Sequence, residues 1–379
     1  MTRKIVVVGW GPAAHRFVTG LLSDGTEGGG DGGPDDSPGG DPAGGGGSGR
    51  AGSKDIDLAV TVYAAEGADA HDREALPDAL SAGSAPAAAA LPAIQDPRLD
   101  LRVGVRVTAI DRMHRVVHAT DHRIEHYDAL VLATGANPVL PPIRNIRAAD
   151  GETLLSGVFP AHSAADFRAL AEAAQSASRA VVIGGSTTGL RVATALHTVR
   201  AHDMSRPPLH VELVDQMPAT PEITAADAYY ALRRAGVVAY QDCRVRSLEA
   251  GPDGALTAVT LADGFRLTTD LAVLTCGTAP NVALAWTAGL AVARGVVVDD
   301  ALRSVSDPVV YALGGCAEHR RTLSGDSAVA REQADVLADR LSGRDPLRTY
   351  RGMPLTPRPA PQLSDVVAEA ERFLKAAAA

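Results

Sequence analysis

Two stretches of this chain set glycines where a main chain can receive a phosphate. Near the start, KIVVVGWGPAAHRFVTGLL runs an apolar strand pattern into Gly9, Gly11 and Ala14 and then into a helical pattern. Far downstream, RAVVIGGSTTGLRVATAL repeats the arrangement around Gly184, Ser186 and Gly189. In such a turn the first glycine permits the tight bend, the second lets a pyrophosphate approach the backbone, and the third small residue lets the helix pack on the strand. The phosphate then rests on amides that have no partner in the first helical turn. One copy alone is compatible with an ordinary βα turn, whereas two copies make each a candidate nucleotide cradle.

The remaining chemistry-bearing residues narrow the choice. DLAVTVYAAEG alternates like a second strand and ends at Glu66, where a carboxylate accepts hydrogen bonds from both ribose hydroxyls of an adenosine. The counterpart downstream, LHVELVDQMP, ends at Asp215. The three cysteines, Cys243, Cys276 and Cys316, are far apart and form no CxxC pair, so neither a disulfide framework, a metal knuckle nor a dithiol relay is expected. They read as small buried hydrophobes, and their number favours the cytoplasm. No HxH or HExxH spacing points to a metal, and His15 and His319 read as surface or hydrogen-bonded structural residues.

These residues need strands and helices to hold them, and the pattern supplies two similar sets. After each glycine turn come a second strand, a β meander (LRVGVRVTAID, HRVVHAT and HRIEHYD; then CRVRSLEAG, ALTAVTLADG and RLTTD) and a returning buried strand, YDALVLATGANP or LAVLTCGTAPN. This internal duplication says more than any single glycine. Residues 24 to 54 are almost wholly Gly, Asp, Pro and Ser and are expected to be a disordered insert within the first βαβ unit. Such an insert is tolerable, because closure entropy grows by only about 0.6 kcal/mol per doubling of loop length.

At 379 residues, 46% hydrophobic and 21% charged, the chain has room for two or three globular domains. A net charge of -9 with no basic stripe argues against nucleic acid. No membrane span is expected, and the apolar opening after Arg3 and Lys4 reads as a first strand because it meets a glycine turn at once.

On GWGPAA with Glu66, YDALVLATGANP, VVIGGSTTGL, TCGTAPN and SDPVVYALGGCAEH, in that order, the chain resembles the two-dinucleotide-binding-domain flavoproteins, the pyridine nucleotide-disulfide oxidoreductase superfamily in its broad sense. GWGPAAHRFV and AEGADAHDREAL are most similar to the N-terminal reductase module of the nitrite reductase large subunit and to rubredoxin and ferredoxin reductases. The resemblance implies an α/β fold of two Rossmann-like domains with parallel sheets and inserted antiparallel meanders. It implies an FAD-binding domain from residues 1–150 and 285–345, an NAD(P)H-binding domain from 151–284, and a Pro-rich tail with a helix at 346–379, a truncated interface domain. It places Gly9, Gly11, Pro12, Ala13, Ala14, Glu66, Arg73, Val107, Ala133, Thr134, Gly135, Gly314 and Gly315 around FAD. Around the nicotinamide nucleotide it places Gly184, Ser186, Thr187, Thr188, Gly189, Asp215 and Gly277. Asp215, with no Arg directly after it, favours NADH over NADPH.

The expected activity is an FAD-dependent NAD(P)H oxidoreductase that sends electrons to a redox partner protein or a small oxidant, with no side chain required as acid or base. Several positions depart from the family pattern. Gly315 stands where an acid holds the ribityl chain, Ser186 where the middle glycine is usual, Arg191 where Glu is frequent, and Ala68 and His71 replace an Arg and a Tyr. The iron-sulfur and sirohaem modules of full nitrite reductases are absent from this sequence, so nitrite reduction by this chain alone is not expected. These departures keep open a degenerate, non-catalytic nucleotide-binding or regulatory member, and a monooxygenase-like flavoprotein.

Overall fold

A computed structural model of the chain describes residues 2–23, 57–67, 69–82, 86–200, 206–216 and 232–352. The Gly/Asp-rich insert, Ala68 and the Pro-rich tail from residue 353 lie outside the described residues. The described parts of 1–68, 93–135 and 281–352 form one compact unit, and those of 69–92 and 136–280 form a second.

The first unit is built on a five-stranded parallel sheet. Its strand order is Val310–Ala312, Ala129–Leu132, Arg3–Val8, Leu58–Ala64, Leu99–Val103, with the first glycine-turn strand in the centre. Ile5, Val6, Val7 and Val8 are all buried, as expected of a parallel strand covered on both faces. Helix α1 (Pro12–Leu22) follows, with Gly11 as N-cap and Pro12 at the first helical position, where its missing N–H costs nothing. It buries Ala14, Phe17, Val18, Leu21 and Leu22, one face at helical spacing. Each large side chain among them contributes about 1.5–3 kcal/mol by leaving water.

The sequence stretch LRVGVRVTAID divides in two. Leu99–Val103 joins the parallel sheet and Val107–Asp111 opens the meander with Val116–Ala119 and Ile124–His126, because Gly104 between them takes φ +71 and turns the chain. The unit closes with the helix Ser327–Ser342, capped by Asp326 at its start and by left-handed Gly343 at its end.

The second unit repeats the plan in the order Val238–Tyr240, His210–Val214, Arg179–Ile183, Leu271–Leu274, Val158–Pro160, again all parallel. Along the central strand, Ala180 and Val182 pack with Leu76, Phe167, Leu170, Val192 and Leu196 from helices α2 (Leu76–Ser81), α3 (Ala164–Ser176) and α4 (Thr187–Thr198). Val181 and Ile183 face the opposite way and pack with Leu248, Val259 and Leu261 of the second meander. This period-two alternation is why one apolar strand can carry helices on one face and a β layer on the other.

Apart from the excursion of residues 69–92, the chain passes between units at Gly135/Ala136 and at Pro280/Asn281. Ala136–Pro138 pairs antiparallel with Thr278–Pro280, so both segments stay with the second unit. The 69–92 segment joins that unit as well, because α2 packs on α4 and Arg191 of α4 binds Asp78 of α2 at 2.6 Å. Among the described residues no helix is long and apolar enough to cross a membrane.

Candidate nucleotide cradles in two parallel sheets

The two glycine turns have the same backbone construction. Gly9 has φ +108 and Gly184 φ +117, a region L-residues with side chains avoid. The Gly9 amide donates to the Tyr63 carbonyl at 3.0 Å, and the Gly184 amide to Val214 at 2.9 Å. A Cβ on Gly9 would lie 2.2 Å from the Ala133 carbonyl oxygen, and one on Gly184 would lie 2.6 Å from that of Thr275. Ala133 and Thr275 directly follow the returning strands of their sheets, and their amides donate to Val8 and Ile183, each at 2.9 Å. The first glycine therefore exists for the fold, since only a hydrogen fits between the turn and the neighbouring strand end.

The second position separates the turns. Gly11 is extended, with φ -95 and ψ -175, a Cβ there would meet nothing within 4 Å, and no side chain caps α1. Among the described residues the Ala13 and Ala14 amides are left without a partner, because the first helical bond runs from His15 to Gly11. Ser186, by contrast, caps α4. Its hydroxyl accepts from the Gly189 amide at 3.2 Å and donates to the Thr275 carbonyl at 3.2 Å, leaving the Thr187 and Thr188 amides for a ligand. At the third position a Cβ on Gly189 would lie 2.0 Å from the Gly184 carbonyl oxygen, whereas Ala14 is accommodated and fully buried.

The acidic residues at the second strands also differ. Glu66 is exposed two residues beyond Ala64, the end of its strand. Asp215 is buried, and its carboxylate lies so close to Gly185 that a Cβ on that glycine would fall 2.1 Å from Oδ2. Its amide donates to Tyr240 and its carbonyl accepts from Cys243, each at 2.9 Å, which fixes the backbone that presents it. Gly277 has φ +91 with open space beside its Cα, and its carbonyl accepts from Val139.

The other expected site residues are distributed as follows. Ala133, Thr134 and Gly135 end the returning strand of the first sheet, where the Thr134 hydroxyl donates to Asn281 at 2.7 Å and the Asn281 amide donates to Gly135. Gly314 has φ +70, a Cβ on it would touch Ala13 of α1 at 3.0 Å, and its amide donates to Gln333 Oε1 at 2.7 Å. Gly315 follows it in a single 3-10 turn. Val107 is buried in the first meander. Arg73 lies in the second unit, where its Nη1 is 2.9 Å from His162 Nε2, a nitrogen also 2.7 Å from the Ala136 carbonyl.

Besides Tyr127 Oη, two buried, unpartnered polar atoms that sequence reasoning passed over lie in the first unit. Ser327 Oγ and Glu332 Oε2, both on the last helix, are shut off from solvent and have no hydrogen-bond partner. Nothing in the run SAVAREQADVLADRLSG marks them, because burial of a polar atom depends on what surrounds it in the folded chain. Together with the uncapped amides and the open Gly11 face, they fit a ligand rich in phosphate oxygens and hydroxyls, as FAD is. The Thr187 and Thr188 amides with Asp215 fit a second dinucleotide.

The cysteines do not offer thiolate chemistry. All three are free, and burial pushes each thiol upward, Cys316 completely so, with its Sγ donating to the Leu132 and Leu313 carbonyls.

Two duplicated Rossmann-like units, each with a glycine turn at the start of a helix and an acid after the second strand, define a tandem dinucleotide-binding protein. Residues 39–334 match the family described as pyridine nucleotide-disulphide oxidoreductase, and the chain belongs to that family. It is similar to the nitrite reductase (NADH) large subunit of Escherichia coli (strain K12), 30% identical over 250 residues that cover 64% of this chain and 28% of that protein. It is also similar to putidaredoxin reductase CamA of Pseudomonas putida, 34% identical over 232 residues, 59% of this chain and 52% of that one. The chain thus spans between about a quarter and a half of the length of these relatives. Among solved structures, it matches the covalent putidaredoxin reductase-putidaredoxin complex with TM-score 0.73 and 27% identity, covering 93% of this chain and 77% of that one. The ferredoxin reductase for the CYP199A2 system from Rhodopseudomonas palustris matches with TM-score 0.74 and 25% identity, covering 93% and 79%.

Proposed function

We propose that this chain is an FAD-dependent NADH oxidoreductase of the reductase-module type, holding FAD in the first unit and NADH in the second and passing electrons to a redox protein. The observation that carries the reading is the duplicated turn, in which the same backbone bonds and the same excluded Cβ recur at Gly9 and Gly184. If both nucleotides were held by these turns, they would supply the hydride-transfer chemistry, and the protein would supply binding and orientation.

The protein's part is to bind and orient. In the first unit, the Ala13 and Ala14 amides receive the pyrophosphate, and Glu66 accepts from the adenosine ribose. In the second, Thr187 and Thr188 offer the corresponding amides. Asp215, pinned through its own amide and carbonyl, accepts from the 2′-hydroxyl of NADH and repels a 2′-phosphate. Positioning of this kind removes entropy from the reaction in advance. A protein acceptor is supported by the names of the relatives, one a putidaredoxin reductase and one a solved reductase-putidaredoxin complex. The free cysteines support residence in a reducing compartment such as the cytoplasm.

Anaerobic addition of NADH to the FAD-loaded full chain tests this reading. The visible flavin absorption should bleach stoichiometrically, faster with NADH than with NADPH. Binding of both nucleotides without bleaching would instead assign a non-catalytic member.

A further inference from the structure

The last helix runs parallel to α1. Arg16 binds Asp335 with both carboxylate oxygens, at 2.7 and 3.0 Å, and a Cβ on Gly20 would touch Ala338 at 3.2 Å, so position and direction advance together along the two helices. Carried back one turn, the same register sets Pro12 and Ala13 beside Arg331 and Glu332. Glu332 and Asp335 are three residues apart and share a helix face, so Glu332 faces the first turn of α1 as Asp335 faces its second. The last helix also begins earlier. Its residues 327–330 extend about 6 Å past the start of α1 at roughly 1.5 Å per residue, overhanging the glycine turn.

At that level Gln333 Oε1 accepts from the Gly314 amide, which brings the 314–316 turn to the same helix. Gly314 in turn lies against Ala13. Gly314 therefore brings Ala13 of α1 and Gln333 of the last helix together, and Glu332, the residue before Gln333, has its Oε2 buried without a partner. A buried acceptor left empty is costly, and it marks a place where a donor belongs. That donor is not a phosphate, whose charge a carboxylate repels, but a neutral hydroxyl of the polyol next to it.

Resting on the reading that the first unit holds FAD, we infer that Glu332 accepts a hydrogen bond from a ribityl hydroxyl of FAD, taking over from the other side the role that Gly315 cannot fill. The acid missing from the 314–316 turn has been relocated to the helix that packs on that turn.

Titration of the apoprotein with FAD, followed by flavin fluorescence, and with ADP, by competition, tests this. Glu332→Gln keeps size and an oxygen acceptor but gives up the charge, so FAD binding should weaken about five- to ten-fold, the difference between a charge-assisted and a neutral hydrogen bond. ADP, which has no ribityl chain, should bind the variant as it binds the original. Adding Gly315→Asp to E332Q should restore FAD affinity. The thermal midpoint of apo E332Q should not fall, since an unsatisfied buried carboxylate has been removed. Unchanged FAD affinity in E332Q, or an equal loss of FAD and ADP, overturns the inference while leaving the FAD site itself standing. Failure of the original protein to bind FAD removes both.

Discussion

The two glycine turns agree at the first position and part at the second. At Gly9 and Gly184 a neighbouring strand end forbids any side chain, so these glycines serve folding whether or not a ligand ever arrives. At Gly11 nothing in the protein forbids a side chain, and at the equivalent Ser186 one is present and used as a helix cap. The backbone at Gly11 is thus the more open of the two turns, and glycine there is also an acceptable N-cap for α1. The second turn has exchanged some of that access for a better-anchored helix.

The largest effect should come from the shared position. Gly9→Ala and Gly184→Ala each force a Cβ onto a carbonyl in a backbone region unfavourable for alanine, and each should cost about 3 kcal/mol or more. Thermal unfolding of the apoprotein checks this. If either variant kept the original midpoint, the claim that both turns are built alike would fail.

Gly11→Ala sharpens the contrast. Its Cβ points into open space, so apoprotein stability should fall by no more than about 1 kcal/mol, the N-cap preference for glycine over alanine. FAD affinity should nevertheless fall about ten-fold or more, because overpacking a close contact costs roughly 1–3 kcal/mol. A variant as tight as the original would show that the phosphate does not rest on this turn.

Asp215→Asn addresses the second unit alone. It keeps the shape beside Gly185 and removes the charge, so NADH should bind about ten-fold more weakly while NADPH binding holds or improves. Titration with both nucleotides separates this from general damage, which would weaken both.

Much of the fold was legible in the sequence because its strongest signals are local. An apolar strand, a glycine turn and a helix occupy one contiguous stretch, and each returning strand carries its own apolar run. What the sequence hid depends on distant partners. Arg191 looks like a departure from its family until Asp78 appears beside it, 113 residues away. Glu332 looks like one charge among several on a helical run until its Oε2 is found buried without a partner, next to the Gln333 that binds Gly314. The 69–92 segment precedes the first meander in the chain yet packs on α4, and no periodicity within it indicates which sheet it will join. Ser186 was legible as a residue out of pattern, but its use as a cap required the helix start to be seen.

The smallest effect is also the most discriminating. Ser186→Gly removes the cap, and a glycine at that position costs only a few tenths of a kcal/mol, whereas Ser186→Ala costs about 1 kcal/mol. In both variants the Gly189 amide loses its hydroxyl partner and becomes available to a phosphate, but only glycine also clears the Cβ. If the side chain at 186 limits approach, NADH should bind more tightly to the glycine variant than to the original, and the alanine variant should gain less. If both gain equally, the amide rather than the space was limiting, and the two turns differ in hydrogen bonding alone. Calorimetric titration of the three proteins, with apoprotein midpoints measured alongside, distinguishes these outcomes because affinity and stability are expected to move in opposite directions.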